Sequence, residues 1–397
     1  MPTSIPSRPG GTRRRAVADA RRIVVKLGTA VLTGDDGRLA ARRVHGFANS
    51  IAALRRQGRE VLVVTSGAVG LGAARLGMRG SPGRLVEKQA CAAVGQGRLM
   101  ATYAAAFDRR GVTVAQVLLT EDDFADRRRY LNLRRTVGRL LELGVLPIIN
   151  ENDTVSTAEL EPQDRGAARR RSFGDNDRLS ALVAGKIDAG LLVLLTDVGG
   201  LYDGDPRRGR ARLIPLVEEV TPALERLAGG PRLGRGGMRT KLRAARMAAE
   251  SGCATVIADG RLPRVLERVC AGERVGTLVL PRPPLSGKRR WIAFATGVAA
   301  GIVVTDGACR ALAGGKASLL PAGAVAIHGR FSRGDVVGLL DERGREFARG
   351  IASYSSEDAE RLLGMHSDRI VELVARPAGD SLVNRENLVL HASAGDA

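Results

Sequence analysis

Among the 62 basic residues of this chain only six are lysines, and two of those, Lys26 and Lys241, stand where a bound phosphate would need a cation. Lysine is a compact point charge on a flexible stem and can follow a phosphoryl group as it moves, whereas arginine is a wide planar fork. Lys26 ends the apolar run Ile23-Val24-Val25 and precedes Gly28. Lys241 follows Gly236-Gly237-Met238-Arg239-Thr240 at an expected helix start, where unpaired backbone N–H groups and the helix dipole favour an anion. Gly28 and the Gly236-Gly237 pair let main-chain amides approach a phosphate closely. The plainer reading is two ordinary surface lysines and two turns.

Three polar clusters exceed what local structure requires. Phe173-Gly174-Asp175-Asn176-Asp177 opens a helical run from Arg178 to Ala184, and one of its side chains serves as an N-cap. The remaining carboxylate and amide groups would orient lysines, a metal ion or a substrate ammonium. Asn150-Glu151-Asn152-Asp153 ends a buried strand in four polar residues. Ser66-Gly67-Ala68 is either a simple turn or a carboxylate site where a strand leads into a helix. Neither G-x-x-x-x-G-K-[ST] nor G-x-G-x-x-G occurs, which removes the main support for a P-loop or dinucleotide-binding protein.

The elements that must position these residues follow from the apolar runs Ile23–Val25, Val61–Val64, Val112–Leu119, Val145–Ile149, Leu191–Leu195 and Ala254–Ile257, with helical stretches between them. Continuous β-branched runs signal strands buried on both sides, so the fold class is α/β, an open, mostly parallel sheet sandwiched by helices. Ligands of such sheets lie beyond the carboxyl ends of the strands. Lys26 to Thr29, Thr65 to Ala68, Asn150 to Asp153 and Thr196-Asp197 all follow strands directly and should converge on one edge.

Composition bounds the rest. Aromatic residues make up 3%, so the core is aliphatic. Cys91, Cys253, Cys270 and Cys309 form no C-x-x-C pair, which fits reduced cytosolic thiols and argues against a zinc site. Residues 1–19 read as a disordered basic tail without the apolar core of a secretory signal, and the uncharged stretch Trp291–Thr305 is too short to span a bilayer. Residues 20–280 form the α/β domain, 281–285 a Pro-rich linker, 286–376 a small β-barrel-like domain, and 377–397 a tail. From Pro284 onward 14 Lys and Arg oppose 13 Asp and Glu, so that part carries +1 of the net +20, and the charge concentrates in the first 283 residues. A near-neutral C-terminal domain makes nucleic acid an unfavoured partner.

Taken together, Val25-Lys26-Leu27-Gly28-Thr29, Val64-Thr65-Ser66-Gly67-Ala68, Ile149-Asn150-Glu151-Asn152-Asp153, Gly174-Asp175-Asn176-Asp177, Gly200-Leu201-Tyr202 and Gly236-Gly237-Met238 with Thr240-Lys241 resemble the glutamate 5-kinase family of the amino acid kinase superfamily. The residues Arg289-Arg290-Trp291, Ser318-Leu319-Leu320-Pro321 and Phe331-Ser332-Arg333-Gly334 resemble a PUA domain. The resemblance implies ATP and Mg²⁺ as cofactors and L-glutamate as substrate, with Lys26, Lys241 and Asp177 catalytic. It implies Ser66, Asp153 and Asn176 as glutamate-binding residues. ATP would be held by Lys26, Thr196, Asp197 and the segment Arg235, Gly236, Gly237, Met238, Arg239, Thr240 and Lys241, and no residue is assigned to the metal. It further implies proline as feedback inhibitor, a homo-oligomer, a glutamyl phosphate reductase as pathway partner, a cytoplasmic location and no membrane association. Two departures stand out: Glu161 to Ser172 are inserted relative to the family, and Arg235 and Arg239 replace a Thr and a small residue.

Overall fold

The computed structural model describes residues 14–15, 17–34, 39–78, 80, 82–155, 176–206, 209, 211–228, 237–282, 287–293, 300–366, 369–370, 374 and 378–390. The insertion Glu161–Ser172, together with Phe173 to Asp175, Arg235 and Gly236, lies outside them. The described residues up to Arg282 form one compact unit and those from Gly287 onward another.

The first unit is built on an eight-stranded sheet: β1 Arg22–Leu27, β2 Glu60–Thr65, β3 Val114–Leu119, β4 Leu146–Glu151, β5 Leu191–Thr196, β6 Leu216–Val217, β7 Ala254–Asp259 and β8 Thr277–Val279. The order is β3-β4-β2-β1-β5-β7-β8-β6, parallel throughout except that β8 runs antiparallel to β7. The expected runs thus became strands. The antiparallel β8 and two-residue β6 are additions that sequence pattern did not reveal, being too short for a periodicity.

Side chains alternate across the sheet. Ile23, Val25, Val61, Val63, Leu191 and Val193 join one core, under helices α1 Ala41–Arg56 and α3 Leu85–Asp108. Val24, Leu62, Val64, Leu192 and Leu194 join the other, under α4 Arg127–Glu142, α5 Asn176–Lys186 and α6 Met238–Glu250. Helix α2 Ala68–Arg75 lies against α3 with their backbones in contact: a Cβ on Gly72 would fall 1.7 Å from the Cys91 carbonyl oxygen, and one on Gly95 would fall 1.8 Å from that of Ala68.

Two expected tails are corrected. Within 1–19, Val17 is buried in the core, and the Arg59 guanidinium donates to the carbonyls of Ala18 at 2.7 Å and Ala20 at 3.1 Å, so residues 17–20 are anchored to the sheet. Within 377–397, Val383–Leu390 is a strand, β13, which pairs antiparallel with β12 Glu346–Ala352.

The second unit is a mixed five-stranded sheet of β9 Gly301–Val304, β10 Ala324–His328, β11 Val336–Leu340, β12 Glu346–Ala352 and β13, in the order β10-β9-β11-β12-β13. Only β9 and β11 are parallel. Its own core includes Ile302, Leu312, Val337, Leu339, Ala348 and Leu362.

Candidate active site

Strands β4, β2, β1 and β5 are adjacent, and the polar residues at their carboxyl ends open into one cleft of about 520 Å³. Lys26, Ser66, Asp153, Asn176, Thr196, Asp197 and Lys241 all line it. The chain runs from β1 outward to β2 on one side and reaches β5 on the other, so β1 and β5 flank the kind of switch point where such sheets bind ligands.

Lys26 occupies the even-numbered face of β1, beneath which α5 begins, and its Nζ lies 2.6 Å from Asp177 Oδ1. Lys241, on the first turn of α6, places its Nζ 3.0 Å from Asp177 Oδ2. Thr240 Oγ1 lies 3.0 Å from the same oxygen. Asp177 is fully buried and sits behind the cleft wall; Lys26 and Lys241 are 4% and 5% exposed. A carboxylate gripped by two ammonium groups stays ionised, and it compensates one of the two positive charges. Both lysines also line the cleft, where an entering phosphate would meet them. These are not surface lysines.

A second wall is held by hydrogen bonds between neutral groups. Asn176 Nδ2 donates to the Thr65 carbonyl and, at 2.9 Å, to Asn150 Oδ1. Asn150 Nδ2 in turn donates to Gln96 Oε1 at 2.9 Å. Thr65 Oγ1 is 2.8 Å from the Tyr103 hydroxyl, whose pKa burial pushes above the usual tyrosine range against the pull of Thr65. Ser66 Oγ is 3.0 Å from Thr29 Oγ1. Gly67, with φ +108°, turns the chain from β2 into α2 in a conformation that favours glycine, so that free N–H groups at the α2 start border the cleft.

At the β5 end, Thr196 Oγ1 donates to Asp197 Oδ1 at 3.2 Å, and Arg261 donates to the Asp197 carbonyl. Burial works to raise the Asp259 pKa, but the hydrogen bonds from Arg261 outweigh it and hold the carboxyl below its usual range. Gly237 caps α6 with extended backbone and Met238, Arg239 and Thr240 follow, although these four border the helix start rather than line the cleft.

Sequence reasoning missed Gln96, Tyr103 and Lys88, which lie on α3, the last of them lining the cleft, whereas Thr29, just past β1, lines it as its cluster was expected to. Nothing near Gln96 signals a role, since it lies within a run of Ala, Val and Gly. Asn150 stood in a recognised cluster of which only Asp153 was assigned a role.

The profile of the amino acid kinase family matches residues 21–259, and that of the PUA domain matches residues 301–374. The chain is 45% identical to the glutamate 5-kinase of Pseudomonas entomophila over 95% of its own length and all of the relative's. It is 47% identical to that of Chromohalobacter salexigens over 95% of the chain and 98% of the relative, and 46% identical to that of Citrifermentans bemidjiense over 95% and 100%.

Proposed function

The chain belongs to the glutamate 5-kinases of the amino acid kinase family, and from that premise we propose that Lys26, Asp177 and Lys241 carry phosphoryl transfer from ATP to the γ-carboxylate of L-glutamate. The product is L-glutamyl 5-phosphate, the first intermediate of proline biosynthesis. The observation that supports this reading best is the shared, fully buried Asp177 between two ammonium groups.

A carboxylic side chain with an intrinsic pKa of about 4.3 is already an ionised nucleophile at neutral pH, so no general base is required. The difficulty is to bring two anions into line and to neutralise charge spreading over the transferred oxygens. Lys26 and Lys241 supply that neutralisation, and Asp177 holds both in place without competing for the phosphate from within the cleft. Ser66, Asp153 and Asn176 bind glutamate. Thr196, Asp197 and the stretch Arg235 to Lys241 bind the nucleotide, with the α6 amides facing its phosphates. The exposed Arg239 leaves those main-chain contacts intact.

Mg²⁺ arriving with ATP would supply further neutralisation of the phosphate charge, beside the two lysines. The cleft fits an ion delivered in that way: Glu151, Asp153 and Asp197 give its wall carboxylates, yet among the described residues no three acidic, His or Cys side chains gather closely enough to cage a metal.

Beyond the catalytic step, we read the kinase domain as 17–282 and the PUA domain as 287–390, which includes β13, and proline as inhibitor. The enzyme is a cytoplasmic homo-oligomer that passes its labile acyl phosphate to a glutamyl phosphate reductase. Among the described residues no helix is long and apolar enough to cross a membrane.

The test is ATP turnover across a panel of acids with hydroxylamine to trap the acyl phosphate. Glutamate should yield hydroxamate. Aspartate, whose carboxylate falls short by about 1.5 Å, should be slower by about 100-fold. Equal or better turnover of aspartate, acetylglutamate or UMP would overturn the assignment.

A further inference from the structure

Helix α3 turns Gln96 and Tyr103, seven residues and two turns apart on one face, toward the ends of β4 and β2. Two hydrogen-bond paths leave this face and meet at one atom. Gln96 reaches Asn176 Nδ2 through Asn150, and Tyr103 reaches it through Thr65.

The Thr65 carbonyl fixes the direction of every bond in the first path. A backbone oxygen only accepts, so the NH₂ end of Asn176 must face it. The second hydrogen of that NH₂ goes to Asn150 Oδ1, which leaves Asn150 Nδ2 to donate onward and requires an acceptor at position 96. Gln96 Oε1 is that acceptor. The Nε2 at the other end of Gln96 is buried and finds no hydrogen-bond partner among the described residues. A side chain selected only for packing would not leave a buried donor unpaired. What the arrangement secures is polarity: both Nδ2 hydrogens of Asn176 are committed, which leaves Oδ1 as the side-chain atom that can meet a ligand in the cleft Asn176 lines.

We propose that Gln96 is a positioning residue for the amino acid substrate: through Asn150 it steadies the Asn176 carboxamide, whose direction the Thr65 carbonyl sets, so that its acceptor oxygen is held in place for the substrate's α-ammonium. This rests on the reading of Asn176 as a glutamate-binding residue. Without Gln96, Asn150 Nδ2 loses its acceptor and Asn150 is free to turn over, so Asn176 keeps only its bond to the Thr65 carbonyl and its carboxamide is held less firmly against the ammonium.

The experiment uses the full-length enzyme with L-glutamate and with glutarate, the same diacid without the ammonium. Gln96→Met, which keeps the length and removes the acceptor, should raise KM for glutamate about 10-fold while kcat and KM for MgATP stay within about twofold. Turnover of glutarate should not change. Gln96→Glu, which keeps an oxygen facing Asn150, should bring KM for glutamate back to within about threefold of wild type. A normal KM for MgATP reports an intact fold, and Gln96→Leu carries the same expectation should the Met variant not fold. Asn176→Ala separates the two levels of the argument. If it raises KM for glutamate and Gln96→Met does not, the positioning role is wrong. If Asn176→Ala leaves that KM unchanged, the glutamate-site reading itself fails. Equal loss with glutamate and glutarate in Gln96→Met would make Gln96 structural only and would overturn the proposal as well.

Discussion

Asn176 and Asp177 are neighbours on the first turn of one helix, yet they belong to opposite kinds of wall. Asp177 anchors an ionic wall in which two ammonium groups share one carboxylate. Asn176 anchors a wall of neutral amides and a carbonyl, in which direction is set by which end of each amide donates. The difference corresponds to the two tasks of the reaction. Charge that moves must be met by charge, because the strength of an electrostatic contact in a dry site decides the rate. A substrate that must be told apart from similar acids is met by fixed dipoles, because a misaligned dipole discriminates without the cost of burying another ion.

The two walls should therefore fail differently. The largest effect is expected from Lys26→Ala and Lys241→Ala, each lowering kcat by about 100-fold or more with little change in KM for glutamate. Steady-state kinetics on folded protein decides this, and near wild-type kcat for Lys241→Ala would remove that lysine from the chemistry. Next comes Gly95→Ala. Its Cβ would meet the Ala68 carbonyl, forcing α2 and α3 apart at a cost of about 1–3 kcal/mol. Thermal denaturation should show a lowered Tm, and the residual enzyme should lose glutamate affinity before kcat, since α3 carries the amide wall.

A smaller change is expected from Tyr103→Phe, which removes only the bond to Thr65, worth about 1 kcal/mol. Glutamate KM should rise a few-fold, and a fall in kcat of the Lys241→Ala size would show that the walls are not separate. The smallest effect should follow truncation after Arg282, because every described residue lining the cleft precedes it. Arg282 itself should be kept, since its N–H bonds the Ala249 carbonyl at 2.9 Å. Expected kcat is within about threefold of the full chain. Complete loss of activity in a folded truncate, or tight, salt-sensitive RNA binding by the C-terminal domain, would assign that domain a different role.

The ionic wall was largely legible in the sequence, and the amide wall was not. Lys26 and Lys241 stood out because lysine is rare here and because each adjoins glycines at an element boundary. The strands beneath them announced themselves as continuous apolar runs. Gln96 had no such mark: its partners lie 54 and 80 positions away along the chain, and its own neighbours are typical of any packed helix. The tails misled for a related reason. Val17 is a lone apolar residue in Arg-rich surroundings and Val383–Leu390 carries Asn384 to Asn387 in its middle, and only long-range contacts reveal that they are held.

The buried ion cluster around Asp177 also has a thermodynamic face. Taking two ammonium groups and one carboxylate out of water is a cost borne at folding, before any substrate arrives. An anion that settles between Lys26 and Lys241 relieves part of it and binds only the folded chain, so nucleotide becomes a conformational ligand as well as a reactant. At about 100 times its dissociation constant it should add about 2.7 kcal/mol to the unfolding free energy. The resistance of this enzyme to heat would then follow the nucleotide concentration around it, a reserve of stability that the polypeptide holds only while its phosphate donor is abundant.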